Sequence, residues 1–200
     1  MSIVEGPREA GFGAGHVAVA AIAAFAVYAV VGGLEGTGRS FVVLGALRIV
    51  LFGALLGFAL AAAAQERRLG RVGLAIAGVG AICYLLGGIG SVATDGWSYD
   101  VFGDGNEDAA PWYAVVIGLS GILFALGTVL VGIAGRPAGR LATAVILAGV
   151  LFPVVFALQD ALGHAGAHLV WLAAWMAVAG GLIAMEGQGS GRRFDAARAR

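Results

Sequence analysis

Residues Phe41 to Arg71 read FVVLGALRIVLFGALLGFALAAAAQERRLGR, an apolar run interrupted only by Arg48 and followed at once by Arg67, Arg68 and Arg71. About 20 apolar residues, at 1.5 Å each, cross the roughly 30 Å of hydrocarbon in a bilayer. Phe41 to Ala64 therefore has the length of a membrane span, and the arginines mark its wet end. The same layout recurs along the chain. Apolar stretches occupy Gly15 to Gly33, Val72 to Ala93, Trp112 to Ala134, Leu141 to Leu162 and Ala165 to Met185, with short charged segments between them. The pattern predicts an all-α fold: one polytopic transmembrane bundle of six helices over residues 1–200, with 186–200 as a polar cytoplasmic tail.

Composition points the same way. Of the 200 residues, 60% are apolar and 12% charged, against roughly half and a quarter in a soluble domain. A soluble fold of this size has too little interior to hide so much apolar surface. Net charge is zero and no basic patch of the nucleic-acid-binding kind appears. The partners to expect are the lipid bilayer and a protein partner or second copy meeting glycine-rich helix faces, with no nucleic acid. Cys83 is the lone cysteine and lies in an apolar run, which excludes an intramolecular disulfide, a CxxC pair and a thiolate metal cluster. Lysine is absent, so no Schiff base can form on this chain. No cofactor-binding set is visible and none is expected.

Charge distribution sets orientation. Arg67, Arg68 and Arg71 follow the second span; Arg136 and Arg140 follow the fourth; Arg192, Arg193, Arg198 and Arg200 follow the last. With Arg8 these make ten arginines on one side, against Arg39 on the other and Arg48 inside a span. The positive-inside rule predicts both termini in the cytoplasm of a multi-pass cell-membrane protein. Trp97, Tyr99, Trp112 and Tyr113 suit anchoring at the outer interface. Small residues within the spans, among them Gly53 and Gly57, Gly87 and Gly88, and Gly118 and Gly121, suit close helix approach. Pro153 is expected to kink the fifth helix.

Few polar residues are placed to carry chemistry. Arg48 lies seven residues after Phe41, on the order of 10 Å below the outer interface, where a charge is costly and is paired, functional or snorkelling outward. Its candidate partner is Asp160, near the outer end of the fifth span. Asp160, His164 and His168 stand at i, i+4 and i+8, which would align a carboxylate and two imidazoles on one face of a continuous helix. These are weak metal candidates, because Gly163 and Gly166 interrupt the segment and three ligands are a minimal set. The loop from Thr94 to Pro111 carries five acids and no basic residue. Its Asp104, Asn106 and Asp108 imitate the start of a calcium loop, but Ala109 stands where that loop needs glycine. A solvated acidic loop is the expectation.

Gly118-Leu119-Ser120-Gly121, with His168 at the start of the last span, resembles the serine and histidine of the rhomboid intramembrane proteases, and Glu66 to Gly70 is similar to a segment that follows that family's second core helix. The resemblance implies Ser120 as nucleophile and His168 as base. It departs at Val50 to Ala54, which lacks the family's oxyanion-side histidine and asparagine, and at Trp171 and Trp175, where the family has small residues and where indoles would hold the dyad apart. The whole-chain layout also resembles the prokaryotic six-span proteins of the domain-of-unknown-function family 998. That resemblance rests on Arg68 to Asp95, and on Trp175 with Gly180, Gly181 and Leu182; it implies topology and no catalytic residues. The leading expectation is a non-enzymatic structural, accessory or small transport or sensing protein, with an intramembrane serine protease as the alternative.

Overall fold

The structure, a computed structural model, describes the backbone of residues 13–31, 38–93 and 111–198, with side chains at all of these except 38, 93, 111–114, 164 and 188–198. The acidic loop, Trp97, Tyr99, Arg8 and the side chains of Trp112, Tyr113, His164 and the tail arginines lie outside the described residues.

Six α-helices carry the described chain: α1 (Ala14–Val30), α2 (Gly38–Ala61), α3 (Arg68–Ala93), α4 (Pro111–Ala134), α5 (Arg140–Ala157) and α6 (Gln159–Arg198). Single 3-10 turns, Ala64–Glu66 and Arg136–Ala138, make the connections after α2 and α4. Five helices hold stretches long and apolar enough to cross a membrane: Arg39–Ala61, Arg68–Val92, Val115–Ala134, Arg140–Ala157 and Ala165–Gly187. The apolar α1 has 17 residues, a rise of about 25 Å, and is the shortest of the six helices.

Two boundaries differ from expectation in ways that matter for the polar residues. Helix α5 ends at Ala157, and the Leu158 amide turns back to donate to the Val155 carbonyl. Asp160 therefore sits beyond α5, in the turn that opens α6. Gly163 then breaks α6 with φ 70° and ψ 159°, a left-handed excursion that glycine tolerates because it has no Cβ. The regular membrane-crossing part of α6 starts after that break. At its other end the helix runs on into the expected tail, as far as Arg198.

Each helix packs on its neighbours in sequence, and α1 packs on α6, so the six form a closed ring. The outside of the ring is apolar. On α3, Val79, Ile82, Leu86 and Ile89 are exposed at helical spacing, and on α4 so are Leu119, Ile122 and Leu126. A surface built of such residues is stable only when lipid covers it, and the chain is a multi-pass membrane protein.

Hydrophobic burial cannot hold helices together in lipid, so close packing must. The α3–α4 pair shows how. A Cβ on Gly80 would lie 2.6 Å from the Ser120 carbonyl oxygen, and one on Gly73 would lie 2.9 Å from the Gly127 carbonyl oxygen. The two backbones are in contact because side chains are missing. Gly45 against Leu85 and Gly15 against Ala179 serve α2–α3 and α1–α6 in the same way. The Gly53-Gly57 pair does not behave as its spacing suggests. Gly57 packs on Ala14 of α1, whereas among the described residues nothing comes within 4 Å of a Cβ on Gly53.

Candidate functional site

The inward face of α2 is a stripe at three- and four-residue spacing: Leu44, Arg48, Leu51, Leu55 and Phe58, all buried. Arg48 occupies a core position of that stripe. Its side chain leaves α2 toward the interior of the ring and is 1% exposed, so the outward snorkelling open to it on sequence grounds does not occur. Arg48 is the tenth residue of the 23-residue Arg39–Ala61 span. At 1.5 Å per residue, that places its Cα within a few Å of the middle of the span.

Aromatic rings from four other helices surround the guanidinium. Its central carbon lies 3.7 Å from the ring centre of Tyr84 on α3 and 4.7 Å from that of Phe152 on α5. Trp171 on α6 and Phe124 on α4 are farther, at 5.8 and 5.9 Å. Each ring face offers the cation its negative quadrupole, an attraction of about 0.5–2 kcal/mol that grows with desolvation. The rings also brace one another. Phe152 stands edge-on to Trp171 at 5.4 Å and lies tilted against Phe156 at 4.5 Å, and the Trp171 indole N–H donates to the Ala148 carbonyl of α5 at 3.0 Å.

What the rings cannot supply is an acceptor for the N–H groups in the guanidinium plane. Nε and Nη1 of Arg48 are buried without a hydrogen-bond partner. The indole N–H of Trp175, one turn from Trp171 and 5.8 Å from Phe124 between ring centres, is in the same condition. A buried, unsatisfied donor costs about 1–3 kcal/mol, and more when charged.

Asp160 does not answer that need. It stands exposed in the turn before Gly163 and is not among the groups around the guanidinium, so the suggested Arg48–Asp160 pair does not form. The physical reason is the early end of α5, which leaves Asp160 in the turn beyond that helix. The same region undoes the Asp160, His164, His168 alignment. Gly163 breaks the helix between the first and second of them, and His168 is buried between Phe25 of α1, at 6.0 Å, and Phe156 of α5, at 4.8 Å.

Ser120 is also buried, and its hydroxyl donates to the Ile117 carbonyl of its own helix at 2.8 Å. Thr128 does the same one step further along, to Phe124. Helix α6 meets α4 through Trp175 on Phe124, one turn from Ser120. The two glycines of the quoted motif have separate surroundings: among the described residues nothing comes within 4 Å of a Cβ on Gly118, while one on Gly121 would lie 2.8 Å from Phe152 Cζ and 3.3 Å from Arg48 Nη1.

Sequence reasoning found Arg48 but missed Tyr84, Phe124 and Phe152, and saw Trp171 only as bulk. A signal was available. Each of these aromatics lies in a span well away from the ends, at a depth comparable with Arg48. Compared with known proteins, the chain matches no family model, no curated protein and no solved structure.

Proposed function

We propose that this chain is a non-enzymatic multi-pass membrane protein that works as a small transport or sensing bundle, with both termini in the cytoplasm and Arg48 as its working residue. One observation carries this reading: an unpaired guanidinium in the middle of the bundle, touched by side chains of four other helices. A purely structural core does not need it. Apolar side chains of similar size fill such a position without the desolvation penalty, and replacing buried charges by them is often neutral or stabilising. A charge inside a membrane span marks a functional site by default. Its placement fits sensing or gating, because any change in what the guanidinium binds is felt at once by α2 through α6.

The orientation rests on the arginines after α2 and α4, Arg67, Arg68, Arg71, Arg136 and Arg140, which cluster at the ends of alternate connections. In a Cys83→Ala background, Gln65→Cys should react with an impermeant maleimide only in opened cells and Leu162→Cys in intact ones. The reverse pattern overturns the orientation.

The role of Arg48 is tested with the protein's own reporter, Trp171, beside the guanidinium. Purified wild type in lipid nanodiscs should show a saturable change in tryptophan emission with at least one class of small solute. Arg48→Met should fold and lose that change. Identical solute responses in wild type and Arg48→Met would remove Arg48 from the function.

A further inference from the structure

We propose that Arg48, through Nε and Nη1, binds a small inorganic monoanion of the halide or nitrate class in the core of the bundle. This rests on the reading of Arg48 as the working residue and names its ligand class. The argument starts from charge. The guanidinium stays protonated in proteins, and with no carboxylate among its neighbours in the described residues it brings a full positive charge into a region of low dielectric. The four rings attract that charge through their faces, yet the two buried N–H groups still lack acceptors. A buried water could accept from them and would leave the charge in place. A bound anion meets both needs.

The same considerations select the anion. One negative charge brings the site to neutrality, whereas sulfate would leave a net charge of the opposite sign in the same place. Headgroup phosphates belong to the two interfaces, roughly 15 Å from mid-membrane, and Arg48 is 1% exposed. The walls are aromatic, so every hydrogen bond the anion gives up to water must be replaced by the guanidinium and the neighbouring donors. Weakly hydrated bromide and nitrate should therefore bind ahead of chloride. The unpartnered indole N–H of Trp175 borders the same ring cluster and is the natural third donor.

The test uses the full chain in detergent, exchanged into gluconate, with sodium bromide, nitrate, chloride or sulfate added at constant ionic strength. In the wild type, thermal unfolding should shift upward and saturate with bromide and nitrate, less with chloride, and not with sulfate. Arg48→Met should need at least about tenfold more bromide for any such shift, the loss expected for one charge-assisted hydrogen bond. Equal midpoints in bromide and gluconate for the wild type overturn the proposal, as does a bromide shift that survives Arg48→Met unchanged. If Arg48→Met does not fold, anomalous scattering from bromide in wild-type crystals decides: a site beside Nη1 supports binding, and bromide only at surface arginines overturns it. The curves should be the same in nanodiscs of zwitterionic and of anionic phospholipid. A shift that requires the anionic lipid assigns the partner to a headgroup and overturns the proposal. If anions are inert while another solute still changes Trp171 emission through Arg48, this proposal fails and the broader reading stands. If every solute is inert, both fail.

Discussion

Two neighbouring residues of α4 face two different worlds. Ser120 presents its backbone to Gly80 of α3 in a contact made of glycine and main chain, while Gly121 faces Phe152 and the guanidinium of Arg48. The first region packs by removing side chains until backbones touch. The second holds helices apart with four large rings around a charge. Lipid explains the first, because without a hydrophobic drive between helices close contact is the main attraction available. It does not explain the second, which departs from the economy of the rest of the bundle and includes buried donors with no acceptor. The contrast separates what builds the molecule from what it is built to hold, and the following substitutions test whether that separation is real.

The largest effect should come from the contact between backbones. A side chain at position 80 would meet the Phe124 amide nitrogen and the Ser120 carbonyl oxygen inside van der Waals distance, and neither helix backbone can yield locally. Gly80→Val should destabilise the bundle by about 3 kcal/mol or more, read as the midpoint of unfolding in SDS by tryptophan emission. A loss below about 1 kcal/mol would mean that α3 and α4 are looser than the close contact implies.

The opposite sign is expected in the second region. Arg48→Met keeps most of the stem and removes the desolvated charge and its orphaned donors, so in gluconate it should leave stability unchanged or raise it by up to about 4 kcal/mol. Arg48→Ala is the control. It leaves a void among the rings and should cost about 2–5 kcal/mol. If Met is as damaging as Ala, the guanidinium itself holds the rings together and the division between the two regions collapses.

These two regions were not equally legible. The long apolar runs and the arginines after them foretold the helices, because span length follows from bilayer thickness. The ring cluster was not legible in the same way, and for a definite reason. Hydropathy reports how apolar a span is and not which way each residue faces, so the depth that Tyr84, Phe124 and Phe152 share with Arg48 was legible while their inward direction was not. Arg48 drew attention as a charge, and an acid was the obvious partner for it. The early end of α5 and the left-handed Gly163 decided otherwise, and turn geometry of this kind is not encoded in hydrophobic period. The glycine spacing was a mixed guide: Gly88 against the Phe41 backbone and Gly121 against Phe152 are tight as expected, whereas Gly53 has no close neighbour among the described residues and the α3–α4 contacts fall at Gly73, Gly80 and Gly127.

A smaller effect probes how the rings are braced. Trp171→Phe keeps an aromatic face near the guanidinium but removes the indole N–H that donates to the Ala148 carbonyl. The expected cost is about 1–2 kcal/mol, from one buried hydrogen bond and some lost contact area. Measured again in the Arg48→Met background, the cost should fall by about 0.5–1 kcal/mol, the share that belongs to the cation–ring attraction. No coupling between the two sites would mean that Trp171 serves α5–α6 packing alone.

The smallest effect belongs to the residue that the sequence made most suggestive. Ser120 lies on the packing side of the comparison, and its hydroxyl is engaged with the Ile117 carbonyl of its own helix, as Thr128 is with Phe124. A hydroxyl bonded back to its helix is a common way to bury a polar atom in a span, and it adds little to stability. Ser120→Ala should therefore change the unfolding midpoint by less than about 0.5 kcal/mol. Treated with a fluorophosphonate, wild type and Ser120→Ala should give the same labelling. Labelling present in wild type and lost in Ser120→Ala would place a nucleophile at position 120. It would also show that the tightly packed side of α4 opens to solvent and that the two regions share one working site.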